Sequence, residues 1–187
     1  MSGDILLERG SAEITLGTKQ KTETKHKSKM ESKLNLNIEI GEKTEVVYPN
    51  RRAPVFWAQV VPHTKFVVNA DTVMDTFEFK GTLELRGGEI MYVGRNFYLK
   101  EGHLVFNANS DAIDPIVSFK AEIRERDTDG QQVKIILSAE NQLLSQLTPS
   151  LSASPAKSEA EIMELLGQAL LADSTDSDVP MAQIAIS

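Results

Sequence analysis

The chain has 187 residues, of which 41% are hydrophobic and 25% are charged, a composition typical of a globular domain with its own core. Its net charge of −7 argues against general nucleic-acid binding, and the lack of cysteine excludes disulfides, thiolate metal sites and cysteine nucleophiles. No run of about 18 apolar residues predicts a spanning helix, and the N-terminus predicts no signal peptide, so an envelope protein would have to be a piece of a longer chain.

The first 80 residues predict short strands separated by polar turns. Strands are expected at residues 5–7 and 13–16, around a turn at Gly10-Ser11. Residues 17–33 carry six lysines and predict a solvated loop, with a patch that contacts anionic lipid headgroups as the alternative. Residues 34–40 alternate apolar and polar side chains, which predicts a strand that ends in a turn at Gly41.

From Gly81 onward the alternation becomes regular. It is clearest at residues 116–124, where apolar and polar side chains occupy alternate positions, so that one face of the strand is apolar and the other is polar. Gly87-Gly88 predicts a turn or a bulge, and Glu101-Gly102 predicts a turn. About ten strands at short spacing predict an all-β fold. The strands of this block are expected at residues 82–86, 89–93, 97–99, 103–106, 116–124 and 133–139.

One helix is predicted near the C-terminus. Ser158 and Glu161 form the pattern of a capping box, in which each side chain bonds the backbone of the other residue. Apolar residues then recur at helical spacing, and Gly167 within them predicts close backbone packing or an early helix end. The tail at residues 173–187 is acidic and closes with an alternating segment that predicts an incomplete strand. The apolar helix residues are Ile162, Leu165, Leu166, Ala169 and Leu170.

The sequence predicts no catalytic site, cofactor or metal. The three histidines lack the spacing of metal ligands, and the carboxylates around the hairpin at residues 127–130 are more typical of a solvated turn with cross-strand charge pairs. No nucleotide-binding or nucleophile motif occurs. Four aromatic residues fit either a pocket lining or a core, and the pattern alone leaves this open: Trp57, Phe97, Phe106 and Phe119.

Six segments in series give the chain a resemblance to a known family. They are a glycine-bounded strand pair at residues 81–90, the strands at 95–99 and 102–107, the Asp114-Pro115 step, the charged strand at 121–124, and the capped helix at 158–168. In this order they resemble the C-terminal domain of the TamB family, AsmA-like bridge proteins of the translocation and assembly module, and are closest to spirochaete-type members. Residues 1–80 are similar to the family only in their general pattern of short strands and polar turns.

The resemblance implies a part of an inner-membrane-anchored protein of the periplasm and cell envelope. It implies a strongly curved, antiparallel or mixed β-sheet that forms an apolar groove, a β-taco-like half barrel, in which phospholipid acyl chains would lie on their way between the membranes. It also implies a partner among the outer-membrane barrel-assembly proteins of the TamA/BamA type. The expected units are a groove segment at residues 1–80, a TamB-like β-region at 81–150, a linker with the capped helix at 151–172, and the tail at 173–187.

Alternation and resemblance together predict which residues face the groove. Two alternatives remain: an interaction module that supports insertion of outer-membrane barrels or secretion of autotransporters, and a closed β-sandwich with a structural role, whose core would be sealed by its own side chains. The predicted groove residues are Leu36, Ile38, Leu83, Leu85, Leu104, Phe106, Val117, Phe119, Ile123, Ile135 and Leu137.

Overall fold

The computed structural model of the chain describes residues 2–13, 32–49, 52, 55–108 and 113–176, without the side chains of residues 11–13 and 168–176. Most of the lysine-rich loop predicted at residues 17–33 and most of the acidic tail lie outside these residues. The described part contains nine strands and one α-helix. They are β1 (Ser2–Glu13), β2 (Lys33–Tyr48), β3 (Phe56–Val60), β4 (Lys65–Asp71), β5 (Thr76–Tyr92), β6 (Arg95–Ala108), β7 (Ile116–Arg126), β8 (Gln132–Leu143), β9 (Ser150–Ser154) and α1 (Glu159–Asp176).

All nine strands belong to one sheet that curves into a partial barrel, which confirms the predicted all-β class with a short C-terminal helix. The strand order is β1-β2-β3-β5-β6-β7-β8-β9. β4 lies end to end with β3, because the first half of β2 pairs with β4 and the second half pairs with β3. The long strand β5 pairs with both short strands in the same way. β1 and β2 pair in parallel, and every other pair is antiparallel.

Long strands replace several of the predicted short ones. β1 continues through Gly10, β2 through Gly41 and β6 through Gly102, so the turns predicted at these three places are wrong. The pairing register shifts beside Gly41 and Gly102, as it does beside Gly88, where a bulge was one of the two predictions. A Cβ atom on Gly41 would lie 2.7 Å from the Cα atom of Glu8. Glycine therefore permits close strand contact and bending within a continuous strand.

One face of the sheet is apolar and lines the inside of the curve. Because paired residues of neighbouring strands point to the same face, the register aligns Ile5, Ile38, Phe66, Gly81 and Phe106 in a single row across five strands. The helix packs onto this same face, against β7 and β9. The buried apolar side chains from β2 to α1 form a continuous core cluster.

Candidate apolar groove

The interior is sealed in one half of the molecule, which we define as the closed half. It contains β3, β9, α1, the second half of β5, the first halves of β6 and β8, and the second half of β7. A row through Leu99, Ala121, Leu137 and Leu151 crosses it, and the first three of these residues are at most 5% exposed. Side chains of the chain itself therefore fill the interior here.

The closed half ends at an ion pair. Arg95 and Glu125 belong to the same alternation as Phe97 and Ile123, so their side chains start from the interior face. The Arg95 Nη2 atom lies 2.6 Å from the Glu125 Oε1 atom, and both side chains are largely buried. A charge-assisted hydrogen bond of this kind is stronger than a neutral one. Hydrocarbon that reached this end would meet a polar boundary.

The other half, which we define as the open half, leaves its interior face half-exposed. It consists of residues 2–7 of β1, 34–38 of β2, 67–71 of β4 and 76–79 of β5. Ile40, Phe66 and Leu83, which lie next to it, are buried. Leu36 pairs with Val68, which in turn pairs with Phe79, and all three residues are half-buried. Ile5 is 44% and Leu7 is 38% exposed on the same face of β1. Apolar surface is therefore available to a ligand in this half.

Three phenylalanines separate the two halves. The rings of Phe66 and Phe79 are stacked with their centroids 5.1 Å apart, and Phe106 meets both rings edge-on at 5.7 and 5.1 Å. Gly81 makes this arrangement possible, because a Cβ atom there would overlap the Phe66 ring. Phe79 is half-buried while Phe66 and Phe106 are buried. We refer to Phe66, Phe79 and Phe106 as the aromatic cluster.

Helix α1 covers the closed half through a short apolar ridge. Ile162 and Leu166 are fully buried and Leu165 is 7% exposed, and all three belong to the common core cluster. The linker before the helix is fixed to the β7–β8 turn, because Lys157 Nζ lies 3.2 Å from Asp127 Oδ2. Burial raises the pKa of the Asp127 carboxyl, but the Gln131 N–H and Lys157 outweigh it, so the pKa is lowered overall.

The predicted capping box is present at the start of the helix. The Ser158 N–H donates to Glu161 Oε2 at 2.7 Å, and the Glu161 N–H donates to Ser158 Oγ at 3.4 Å. The hydrogen bonds from the Ser158 hydroxyl and backbone N–H lower the pKa of the Glu161 carboxyl. The ionised carboxylate also lies where the helix dipole favours negative charge.

Gly167 follows directly after the buried residue Leu166. Among the described residues, a Cβ atom at position 167 would have no neighbour within 4 Å, so these residues show none of the close packing considered for this glycine. The helix also continues for nine residues beyond it, to Asp176, so the alternative of an early helix end is wrong. Glycine at this place costs about 1 kcal/mol of helix stability relative to alanine, and no contact among the described residues requires it.

The predicted groove residues all lie on the interior face, but at different depths. Leu36 and Ile38 are half-buried, in the open half. The others are at most 8% exposed, and Ile135 and Leu137 are fully buried. Contact of any of these residues with lipid stays a prediction. The buried members are Leu83, Leu85, Leu104, Phe106, Val117, Phe119, Ile123, Ile135 and Leu137.

Several residues of the open half were not predicted as groove residues. The alternation of Phe77 and Phe79 in β5 is a signal that could have identified them. By contrast, Ile5 and Val68 join this face only through the pairing of β1 and β4 with β2. Such pairing between distant segments cannot be read from the spacing of residues in a single strand.

The polar face carries charges rather than a second apolar site. A surface hollow beside β6 and β7 is lined by Tyr98, Lys100, Glu122 and Arg124, among others. Glu122 also pairs with Lys134 at 3.7 Å. Within the described ranges, no group of three or more histidine, aspartate or glutamate side chains is arranged to hold a metal ion. In the same residues, no helix combines the length and hydropathy needed to cross a bilayer.

The first strand leaves one edge of the sheet without a neighbour among the described residues. All described side chains at positions 2–9 of β1 are exposed. Leu6, on the polar face, is 58% exposed, between Ile5 and Leu7 on the interior face. An edge strand offers unpaired backbone N–H and C=O groups to another strand, and charged side chains, which β1 carries at positions 4, 8 and 9, weaken such pairing. This edge is therefore a candidate docking site for an additional strand.

These features define an all-β, partly closed barrel with an apolar interior, open in one half and covered by a helix in the other. The family model of the TamB C-terminal domain matches residues 2–187. The chain therefore belongs to the TamB C-terminal domain family, as its resemblance predicted, and this membership supports a role as a translocation and assembly module protein of the cell envelope. No curated protein matches the chain.

Proposed function

We propose that this chain is a segment of a cell-envelope bridge that shields phospholipid acyl chains in the apolar interior of its open half. The observation that carries the proposal is the half-exposed apolar face formed by β1, β2, β4 and β5. Family membership supports a location in the cell envelope, since TamB proteins work with TamA-type partners there. In this proposal the protein acts without catalysis, cofactor or metal.

Hydrophobic burial supplies the affinity in this proposal. Each methylene group removed from water contributes about 0.8 kcal/mol, so four methylenes laid against the open half would contribute about 3 kcal/mol. Hydrophobic contacts are non-directional, so a chain held in this way can slide along the face. The headgroup stays in water, because the interior residues of the open half offer apolar surface rather than paired charges.

The experiment compares two neighbouring residues of β2 that point to opposite faces. A photo-crosslinking amino acid replaces either Ile38, on the interior face, or Glu39, on the polar face beside His63. After illumination in cells, phospholipid adducts are quantified by mass spectrometry. We expect adducts at position 38 in at least fivefold excess over position 39. Equal yields, or no adduct at position 38, would contradict the proposal.

The edge of β1, which has no partner strand among the described residues, favours a second function, in which the chain docks a strand of an outer-membrane barrel-assembly protein. Strand addition supplies main-chain hydrogen bonds and pockets for alternate side chains. Replacing Leu6 by lysine places a charge on this exposed edge without removing a buried contact. We expect weaker binding to the periplasmic domains of the partner, measured by calorimetry, with unchanged lipid capture at position 38. Unchanged partner binding would argue against docking at this edge.

A further inference from the structure

Strands β6 and β7 separate from each other at one end of the closed half. Their pairing ends at Tyr98 and Glu122, although β6 begins three residues before this pair and β7 continues for four residues beyond it. The next positions in the register, Asn96 and Arg124, are not paired with each other. The β5–β6 and β7–β8 pairings both continue to the turns of their hairpins. A gap therefore lies between two intact hairpins.

The backbone of both strands directs hydrogen-bonding groups into this gap. The two-residue turn at 93–94, with φ values of 48° and 71°, closes the β5–β6 hairpin with a hydrogen-bonded pair. Because hydrogen bonding alternates along an antiparallel pair, the N–H and C=O groups of Asn96 point away from β5. In the β7–β8 hairpin, the Asp127 N–H donates to the Gln131 carbonyl at 3.0 Å. The same alternation directs the backbone groups of Arg124 away from β8.

A hollow of about 640 Å³ lies on the polar face at this gap. Its lining includes Met91, Asn96 and Tyr98. The Met91 and Tyr98 residues are 49% and 55% exposed, and a thioether and an aromatic ring can both contact the aliphatic part of a bound side chain. The hollow thus combines backbone donors and acceptors with contact surface for side chains, which are the two components of strand recognition.

The charges that line the hollow favour an acidic ligand. Its one lining carboxylate, Glu122, lies 3.7 Å from Lys134, and the Arg95 guanidinium is bonded to a carboxylate at the end of the closed half. Lys100 and Arg124 are exposed, and neither forms an ion pair within the part of the chain that the structure describes. The chain as a whole has a charge of −7, so this basic hollow is opposite in sign to the rest of the molecule.

We propose that this hollow binds an extended, acidic segment of a partner protein. The segment forms main-chain hydrogen bonds with Asn96 or Arg124, and its carboxylates lie beside Lys100 and Arg124. The backbone groups favour a peptide over a phosphate or a lipid headgroup phosphate, because an ionised phosphate accepts hydrogen bonds but donates none to a backbone carbonyl. This inference does not rest on the proposed function, since the hollow and the apolar interior lie on opposite faces of the sheet.

Fluorescence anisotropy of the full chain with synthetic peptides tests the proposal. The probe is a fluorescein-labelled peptide in which aspartate alternates with valine, and the control peptide has lysine in place of aspartate. We expect saturable binding of the aspartate peptide alone. A third peptide keeps the aspartates but is N-methylated at alternate backbone nitrogen atoms, and should bind about tenfold more weakly because main-chain hydrogen bonds are lost. Equal binding of the methylated and unmethylated peptides would overturn the proposal.

Charge reversal in the chain locates the binding. Lys100→Glu and Arg124→Glu should each weaken binding of the aspartate peptide about tenfold, since an attraction is replaced by a repulsion. Lys43→Glu is the matched control, because it makes the same change of charge at an exposed position of β2 outside the hollow, and should weaken binding less than about twofold. Circular dichroism confirms that each variant keeps its sheet. Equal weakening in all three variants would overturn the proposal.

Competition distinguishes a peptide from other anions. Inorganic phosphate, or vesicles of phosphatidylethanolamine and phosphatidylglycerol, are added to the complex with the labelled peptide, and sodium chloride provides a control of equal ionic strength. We expect neither to displace more peptide than the salt does. Greater displacement by phosphate would indicate an anion site, greater displacement by vesicles would indicate a lipid-binding surface, and either result would overturn the proposal. No binding of the aspartate peptide, with lipid adducts still formed at position 38, would overturn this inference and leave the proposed function standing.

Discussion

The two halves of this molecule share one sequence pattern but differ in what covers it. In the open half, Leu36 and Ile38 alternate with polar residues and remain half-exposed. In the closed half, Val133 and Ile135 follow the polar residues Gln132 and Lys134 in the same alternation and are fully buried. Alternation therefore reports that a strand has an apolar face. Whether that face is free or covered depends on distant segments, here β9 and α1.

The comparison also indicates which half of the molecule should tolerate polar substitutions. The closed half combines a tightly buried interior, an ion pair at its end and a helix above β7 and β9. The open half keeps a similar strand framework but has no described element over its interior face. Cores are sensitive to polar substitution because buried charge loses its hydration. Partly exposed apolar faces tolerate such substitution better, and this difference gives the following predictions.

The largest expected effect is from a charge placed in the closed half. Ile135→Asp buries a carboxylate without a partner and should lower the free energy of unfolding by more than about 4 kcal/mol. Leu36→Asp makes the same kind of change in the open half and should cost only about 1–2 kcal/mol, because the carboxylate stays hydrated. Urea unfolding followed by circular dichroism measures both values. Similar losses in the two variants would contradict the division into halves.

A smaller effect is expected at the aromatic cluster. Phe79→Ala removes two ring contacts and should cost about 2 kcal/mol. Phe77→Ala is a matched control, since this residue is also half-buried on the same face of β5 but lies outside the cluster. The midpoint of thermal unfolding should be clearly lower for Phe79→Ala than for Phe77→Ala. If both variants have the same midpoint, the aromatic cluster does not stabilise the boundary between the halves.

The smallest effect concerns pH and the capping box. Because the pKa of Glu161 is lowered in the folded chain, its ionised form stabilises the helix above the pKa of the unfolded state. This contribution is lost as the pH falls through the lower, folded pKa. We expect the free energy of unfolding, measured by urea unfolding at a series of pH values, to fall in this acidic range. Glu161→Gln keeps a capping side chain but cannot ionise, so this part of the pH dependence should be absent in the variant; an unchanged dependence would exclude Glu161 as its source.

Much of the fold could be predicted from the sequence, because strand alternation and the capping box are local signals. Ser158 and Glu161 are three positions apart and mark the helix start without any tertiary contact. The glycines were harder to interpret. Gly41 and Gly102 match the composition of turns, yet they permit close approach of neighbouring strands within long bent strands. A turn and a bulge use the same residue type, and only the partner strand distinguishes them.

The candidate site could be predicted only in part. The predicted residues lie on the interior face, since that face follows from alternation within each strand. Their depth could not be predicted, because Phe119 and Ile135 owe their burial to curvature of the sheet and to segments distant in sequence. The place of Ile5 on the interior face could not be predicted either, because it depends on parallel pairing with Ile38 across a connection of nearly twenty residues.

The central claim is that hydrocarbon reaches the interior face in one half of the molecule and is largely excluded from the other. Methyl-resolved nuclear magnetic resonance with a doxyl-labelled phospholipid tests this claim directly, because the paramagnetic group broadens only nearby methyl signals. The account predicts strong broadening at Leu36, Ile38 and Val68, with much weaker effects at Ile135 and Leu137. Equal broadening in both halves, or none at Ile38, would contradict it.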